Sequence, residues 1–237
     1  MDHIKEWMRV LTEKAEALCG DRIRFIGLQG SYGRGEATEN SDIDAVLIFK
    51  EFNCREIDEY EKIISSMPYK ELVCGFVSGE EELRNWDKGD LFQFYYDTTP
   101  VKGRLEEIID VPGYEAAKQA VKTGACNIYH GCVHNLLHEK SSEVLRSLFK
   151  GAVFVIQALN YVRTGEYVKS KSELMKKADY NERLILELSD QVRNRSDIDG
   201  ELYEIMSHSL ICLSRGLING NHEPIVVCGK YVPSVDK

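Results

Sequence analysis

Apolar residues follow two different periods along the chain, and the change between them outlines the architecture. Ile4, Trp7, Met8, Leu11, Ala15 and Leu18 recur at helical spacing and predict a first helix that Cys19-Gly20 stops. Ile23 to Leu28 and Ile43 to Phe49 are short continuous apolar runs. The second is too apolar for an exposed edge, which predicts a central strand buried on both faces. Ile57, Tyr60, Ile63 and Ile64 predict a helix over 54–66 that ends before Pro68. Beyond it the pattern predicts a strand over Tyr69–Val77, a short acidic helix over Glu80–Trp86, and a strand over Leu91–Tyr96 running into the turn Asp97-Thr-Thr-Pro100. Alternating helices and strands of this kind predict an α/β unit with a mixed sheet.

Past Gly103 the strand signals stop. Residues 104–122 and 125–139 read as helices, and Ser141-Ser142 with Glu143 supplies a cap for a long helix over 143–163 that Thr164-Gly165 terminates. Helical patterns return over 171–178, 181–194 and 198–218, and Ile225 to Pro233 reads as extended. The predicted fold class is therefore α+β or α/β: a mixed-sheet domain over 1–107, then an all-α helical bundle over 108–237 with an extended C-terminal tail.

Charge narrows the range of partners. The 237 residues carry 39 acidic and 30 basic side chains, a formal net charge of −9, with no run of lysine or arginine long enough to track a phosphate backbone. Nucleic acid is a poor fit to that surface, whereas a cationic small molecule or a metal–nucleotide complex is allowed. The seven cysteines are odd in number and none forms a Cys-x-x-Cys pair, so they read as reduced thiols. No apolar run reaches the length of a bilayer span and the first ten residues are charged, so no membrane role and a cytoplasmic location are expected.

The chemistry concentrates in Gly30-Ser31-Tyr-Gly-Arg34-Gly and Ser41-Asp42-Ile-Asp44. In a strand, alternate side chains share a face, so Asp42 and Asp44 point one way while Ile43 and Ala45 point the other. Two carboxylates beside a glycine-rich turn provide hard oxygen ligands for magnesium together with main-chain donors that can approach phosphates.

This combination resembles the signature of the DNA polymerase β-like nucleotidyltransferase superfamily. Within it the chain is most similar to the kanamycin (aminoglycoside 4′) nucleotidyltransferases, through Ile26 to Arg34, Ser41 to Asp44, Phe76-Val-Ser-x-Glu-Glu81, Phe92 to Asp97, and Gly151-Ala152. The resemblance implies a nucleotidyltransferase domain followed by a helical substrate-binding domain, and a homodimer. It also implies a reaction: Mg²⁺ held by Asp42 and Asp44, a nucleoside triphosphate such as ATP gripped by Gly30, Ser31 and Ser41, with Arg34 on its phosphates or on the neighbouring carboxylates, and transfer of a nucleoside monophosphate to the hydroxyl of a small molecule. A third carboxylate is usual in the superfamily. The matching position is Val73, and Glu71, two residues earlier and so on the same face of the predicted strand, is the substitute. Asp97 matches a turn residue rather than a ligand.

A base for the acceptor hydroxyl is expected in the helical half. His130, His134 and His138 lie one helical turn apart, half of the six histidines in the chain, and His130 is the candidate base. A solvent-facing helix edge and a zinc site are the other readings of the same stripe. Glu80, Glu81, Glu82, Asp87 and Asp90 could attract an aminoglycoside-like polycation or form a solvated helix face. Two further functions stay open: a non-catalytic or regulatory nucleotidyltransferase-like protein, such as the partner of a toxin, and an enzyme that nucleotidylates a protein side chain.

Overall fold

The computed structural model describes residues 2–38, 41–195, 198 and 200–220. The predicted extended stretch 225–233 and Cys228 lie outside the described residues. The chain divides into two compact units, Met1–Pro112 and Gly113–Lys237.

In the first unit a four-stranded mixed sheet has the order β3-β2-β1-β4, with β1 Ile23–Leu28, β2 Ala45–Phe49, β3 Phe76–Gly79 and β4 Thr99–Lys102. β2 and β3 run parallel, while β1 is antiparallel to both β2 and β4. β2 is central and all five of its residues are buried, as its unbroken apolar run requires. Its side chains alternate between two cores. Ala45, Leu47 and Phe49 join Leu11 and Ala15 of α1 (Asp2–Cys19) and Ile63 of α3 (Cys54–Ser65). Val46 and Ile48 join Phe25, Leu83 of α4 (Glu80–Arg84), Leu91 and Leu105 on the other side. The sheet is thus covered on both faces, and its period of two decides which layer each residue enters.

Three expectations change in this unit. Leu91–Tyr96 is not a strand but the body of α5, Lys88–Asp97. The Asp87 side chain accepts hydrogen bonds from the N–H groups of Gly89 and Asp90 and starts the helix there, and the strand comes afterwards as β4. An aromatic run such as Leu-Phe-Gln-Phe-Tyr-Tyr has no period that separates helix from strand, so the cap decided. Tyr69–Val77 is likewise not one strand. Tyr69 is left-handed at φ +59° and leads into a 3₁₀ turn over Lys70–Leu72, and β3 begins only at Phe76. Between them Val73 bridges to Ile43, with the Ile43 N–H donating to Leu72 O at 2.7 Å and the Cys74 N–H to Ile43 O at 3.0 Å. The α3 helix buries Glu56, Glu59 and Ile63, while Ile57 is exposed. The two buried acids receive Arg22, at 2.6 Å from each.

The second unit is all helical among the described residues: α6 Tyr114–His134, α7 Ser142–Thr164, α8 Lys171–Lys177, α9 Tyr180–Asn194 and α10 Gly200–Asn219. Ser141 caps α7 and Gly165, at φ +74°, ends it. The two helices expected over 104–122 and 125–139 are one, followed by a π turn over Asn135–Glu139, and residues 104–113 are not helical apart from a 3₁₀ turn, Leu105–Glu107. Gly124 does not break α6. A Cβ there would lie 2.4 Å from Val155, so the glycine lets α7 pack closely. Leu145, Phe149, Ile156, Ile185, Met206 and Leu210 are at the centre of this unit's core.

Candidate active site

The site is built where β1 ends. After Leu28 the chain enters α2, Gly30–Arg34, a single helical turn that forms the glycine-rich turn expected from the sequence. The Gln29 N–H donates to Asp44 O at 2.8 Å, tying the start of α2 to the approach of β2. Gly30 adopts φ +66°, and a Cβ there would lie 1.8 Å from Asp44 Oδ2. Only a residue without a side chain allows the Asp44 carboxylate to rest against this backbone. Ser31 is half-buried in the first turn of α2, where N–H groups have no partner inside the helix. Its carbonyl accepts the Glu36 N–H at 2.8 Å and closes the loop.

The aspartates flank Ile43, which is buried in the α1/α3 core. Ile43 and Ala45 face that core, Asp44 is half-buried on the opposite parity, and Asp42 is exposed. Ser41 serves the loop before them: its hydroxyl accepts the Thr38 N–H at 2.8 Å, and its own N–H donates to Thr38 O.

Asp97 is the residue that sequence reasoning passed over. It ends α5 with its side chain 6% exposed, accepts the Gly30 N–H at 3.1 Å, and takes Arg34 Nη1 on both oxygens at 2.8 and 2.9 Å. Arg34 also donates to Glu36 at 3.2 Å. Burial acts against the guanidinium charge, but the carboxylates of Asp97 and Glu36 outweigh it and hold Arg34 above its usual value. An acid at a helix C-terminus opposes the helix dipole, so Asp97 at the end of α5 signals a partner elsewhere in the fold. That signal is available in the sequence only after α5 is recognised as a helix.

Glu71 is exposed in the 3₁₀ turn, so the shared strand face that selected it does not exist. Among the described residues no group of three or more His, Cys, Asp or Glu side chains is placed to hold a metal ion. Magnesium does not require one: it is commonly held by one or two carboxylates plus substrate phosphates. The pair Asp42 and Asp44, the latter seated against the Gly30 backbone, fits that donor set. Of the acidic group, Glu80 pairs with Arg24 and Arg84, and Asp87 caps α5. His130 is exposed on α6, with ring centroids 6.2 Å from His134, and His134 lies 4.9 Å from His138 and 3.3 Å from Glu139.

Comparison with known proteins fits this geometry. The family described as "Nucleotidyltransferase domain" matches residues 11–88. A Methanocaldococcus jannaschii protein named "Putative protein adenylyltransferase" is 38% identical over 77 residues, 32% of this chain and 70% of that protein. The chain belongs to the nucleotidyltransferase family. It is an adenylyltransferase-like enzyme in its first unit, and the nucleotidyltransferase match takes in Gly30, Ser31, Asp42 and Asp44 but stops at residue 88, short of Asp97. In fold, the chain is similar to spectinomycin adenyltransferase AAD(9) from Enterococcus faecialis, a structure solved with ATP and spectinomycin. The TM-score is 0.57 at 11% identity, covering 90% of this chain and 98% of that one. Among the described residues no helix is long and apolar enough to cross a membrane.

Proposed function

We propose that this nucleotidyltransferase transfers AMP from ATP to a hydroxyl group of a small molecule. The observation that carries the reading is the seating of Asp44 against Gly30 in the Gly-Ser turn, which sets a carboxylate suited to a metal directly beside the backbone of that turn. Asp42 and Asp44 would hold magnesium, and Ser31 would hold the distal phosphates. When bound, magnesium neutralises charge on the triphosphate and orients pyrophosphate as the leaving group. The acceptor oxygen attacks the α-phosphorus in line, the new O–P bond forms as the bond to the bridging oxygen breaks, and pyrophosphate departs. The acceptor's proton goes to a base, a role we assign to His130.

The choice of acceptor rests on how much of the chain each relative resembles. The relative named for protein adenylylation matches only 77 residues, too few to account for the helical unit. The spectinomycin enzyme's fold extends over 90% of the chain. A small polyol or amine-bearing acceptor fits that wider likeness and the acidic balance of the chain, and a homodimer is the assembly expected with it.

The test is pyrophosphate release from ATP and Mg²⁺ with a panel of aminoglycosides, spectinomycin-like aminocyclitols and simple polyols. Turnover is expected with at least one acceptor, and loss of it in Asp42→Ala and Asp44→Ala. Turnover that survives both substitutions together would exclude the mechanism. If His130→Ala leaves the rate unchanged across the pH range, His130 is not the base.

A further inference from the structure

We infer that Asp97 is the positioning residue of the nucleotide loop, and that Arg34 acts as the loop's tether to Asp97 rather than as a phosphate ligand. The inference rests on the nucleotidyl-transfer reading of the site. Asp97 makes contact with both ends of α2: its carboxylate accepts the N–H of Gly30 at the start and grips the guanidinium of Arg34 at the end. One buried carboxylate therefore fixes the single turn that carries Ser31. A helix of five residues cannot hold itself together, because nucleating a turn fixes several dihedrals for one hydrogen bond. Its geometry must come from outside, and α5 supplies it.

The neighbourhood of Asp97 is organised for that purpose. Gln29, the residue before α2, sends its side-chain amide to Thr98 Oγ1 at 2.7 Å and to Phe94 O at 3.2 Å, so the end of α5 is hydrogen-bonded to α2 at a third point. Gly33 lies so close to Leu28 O that a Cβ would meet it at 2.8 Å, which seats the turn directly on the end of β1. Arg34 is only 13% exposed in its side chain and engages Asp97 and Glu36 together. A guanidinium that must reach a triphosphate would have to leave two carboxylates in a largely desolvated site, which is costly. Ser31 sits on the turn that Asp97 fixes, between its two anchored ends.

The experiment compares Asp97→Asn, Arg34→Gln and the double variant, with Asp97→Glu as the charge-conserving control. Hydrogen exchange in the ligand-free protein reads the tether without requiring activity. Amides over 29–36 should exchange faster in both single variants, while those of β2 stay protected and show that the unit is folded. Asp97→Glu should restore part of the protection. MgATP affinity and steady-state kinetics read its consequence. Each single variant should raise the KM for ATP by about tenfold, the factor given by about 1.4 kcal/mol, with a smaller change in kcat. The double variant should be no worse than either single one, because both substitutions cut the same link.

Arg34→Gln costing far more than Asp97→Asn, with the two effects adding in the double variant, would make Arg34 a phosphate ligand and overturn the inference. Unchanged exchange over 29–36 in Asp97→Asn would overturn it as well. If the wild-type protein binds no ATP, the nucleotidyl-transfer reading fails, and the exchange measurement still decides whether Asp97 holds the loop. Should Asp97→Asn fail to fold, Arg34→Gln and Asp97→Glu carry the same exchange comparison.

Discussion

Gly30→Ala separates the strain of the turn from the placement of the metal ligand. Gly30 sits at φ +66°, a region that costs an L residue about 1–2 kcal/mol. The added methyl carbon would also lie 1.8 Å from Asp44 Oδ2, where real contacts do not fall below 3.0 Å, so the carboxylate has to retreat by more than 1 Å. Gly20→Ala is the internal control, because Gly20 has φ +60° and a Cβ added there would meet nothing within 4 Å. Both variants are expected to lose about 1–2 kcal/mol from backbone strain, a fall of about 5–10 °C in the first unit's unfolding midpoint. Only Gly30→Ala should lose activity. Misplacement of a reacting group by ~1 Å can cost about 10²-fold, and Asp44 is displaced by at least that much. Thermal unfolding by circular dichroism and pyrophosphate release at a temperature where both variants are folded provide the two measurements. In an Asp44→Ala background the clash with the carboxylate disappears, only the 3.3 Å approach to the Cβ remains, and Gly30→Ala should cost little beyond the backbone strain. If Gly30→Ala is as destabilised as Gly20→Ala yet keeps activity within about threefold of wild type, the link from Gly30 to Asp44 to catalysis is wrong.

Other outcomes follow from groups outside the site. Arg22→Ala leaves Glu56 without its guanidinium and Glu59 with Arg55 and the Cys19 thiol, and should cost about 3 kcal/mol by urea unfolding at neutral pH. Burial pulls the Glu59 carboxyl upward, but hydrogen bonds from Arg22 and Arg55 outweigh it and hold the group below its usual 4.5. The sign then follows: the stability it supplies is present above 4.5 and lost as the pH falls through the lower folded value, so the wild type should weaken in that acid range and Arg22→Ala should weaken less. Thiol labelling offers a simpler check. Cys54, Cys74 and Cys126 are exposed and should react with a maleimide in the native protein. Burial pushes the Cys19 thiol up to about 11 and the Cys132 thiol up to about 12, so both should label only after denaturation, and rapid native labelling of either would contradict the packing of its helix.

Much of the fold is legible in local pattern. β1 begins and ends where its apolar run does, β2 is central because its run leaves no polar face, and α7 opens at Ser141 and closes at Gly165. These features depend on period, capping and glycine conformation, all of which act over a few residues. The stretches that read wrongly had their deciding feature elsewhere. Leu91–Tyr96 carries aromatic residues suited to either state, and the Asp87 cap before it settles the helix. Tyr69–Val77 reads as one strand, yet the left-handed Tyr69 and the 3₁₀ turn after it leave only a bridge at Val73 before β3.

Sequence alone singled out the Gly-Ser turn and the Asp42–Asp44 pair as the candidate site, because their spacing is local, although β2 itself begins only at Ala45, after both aspartates. It also determined that a sheet-containing unit precedes a helical one, since hydrophobic period is a local property. Tertiary structure decided how the turn is held. The contact of Arg34 with Asp97 joins residues 63 apart, and that of Gly30 with Asp97 joins residues 67 apart. No local pattern records such a meeting, because it exists only after α5 forms and β4 returns beside β1. Folding then places the pair where the low dielectric strengthens its attraction, against the desolvation cost that burial imposes on both charges.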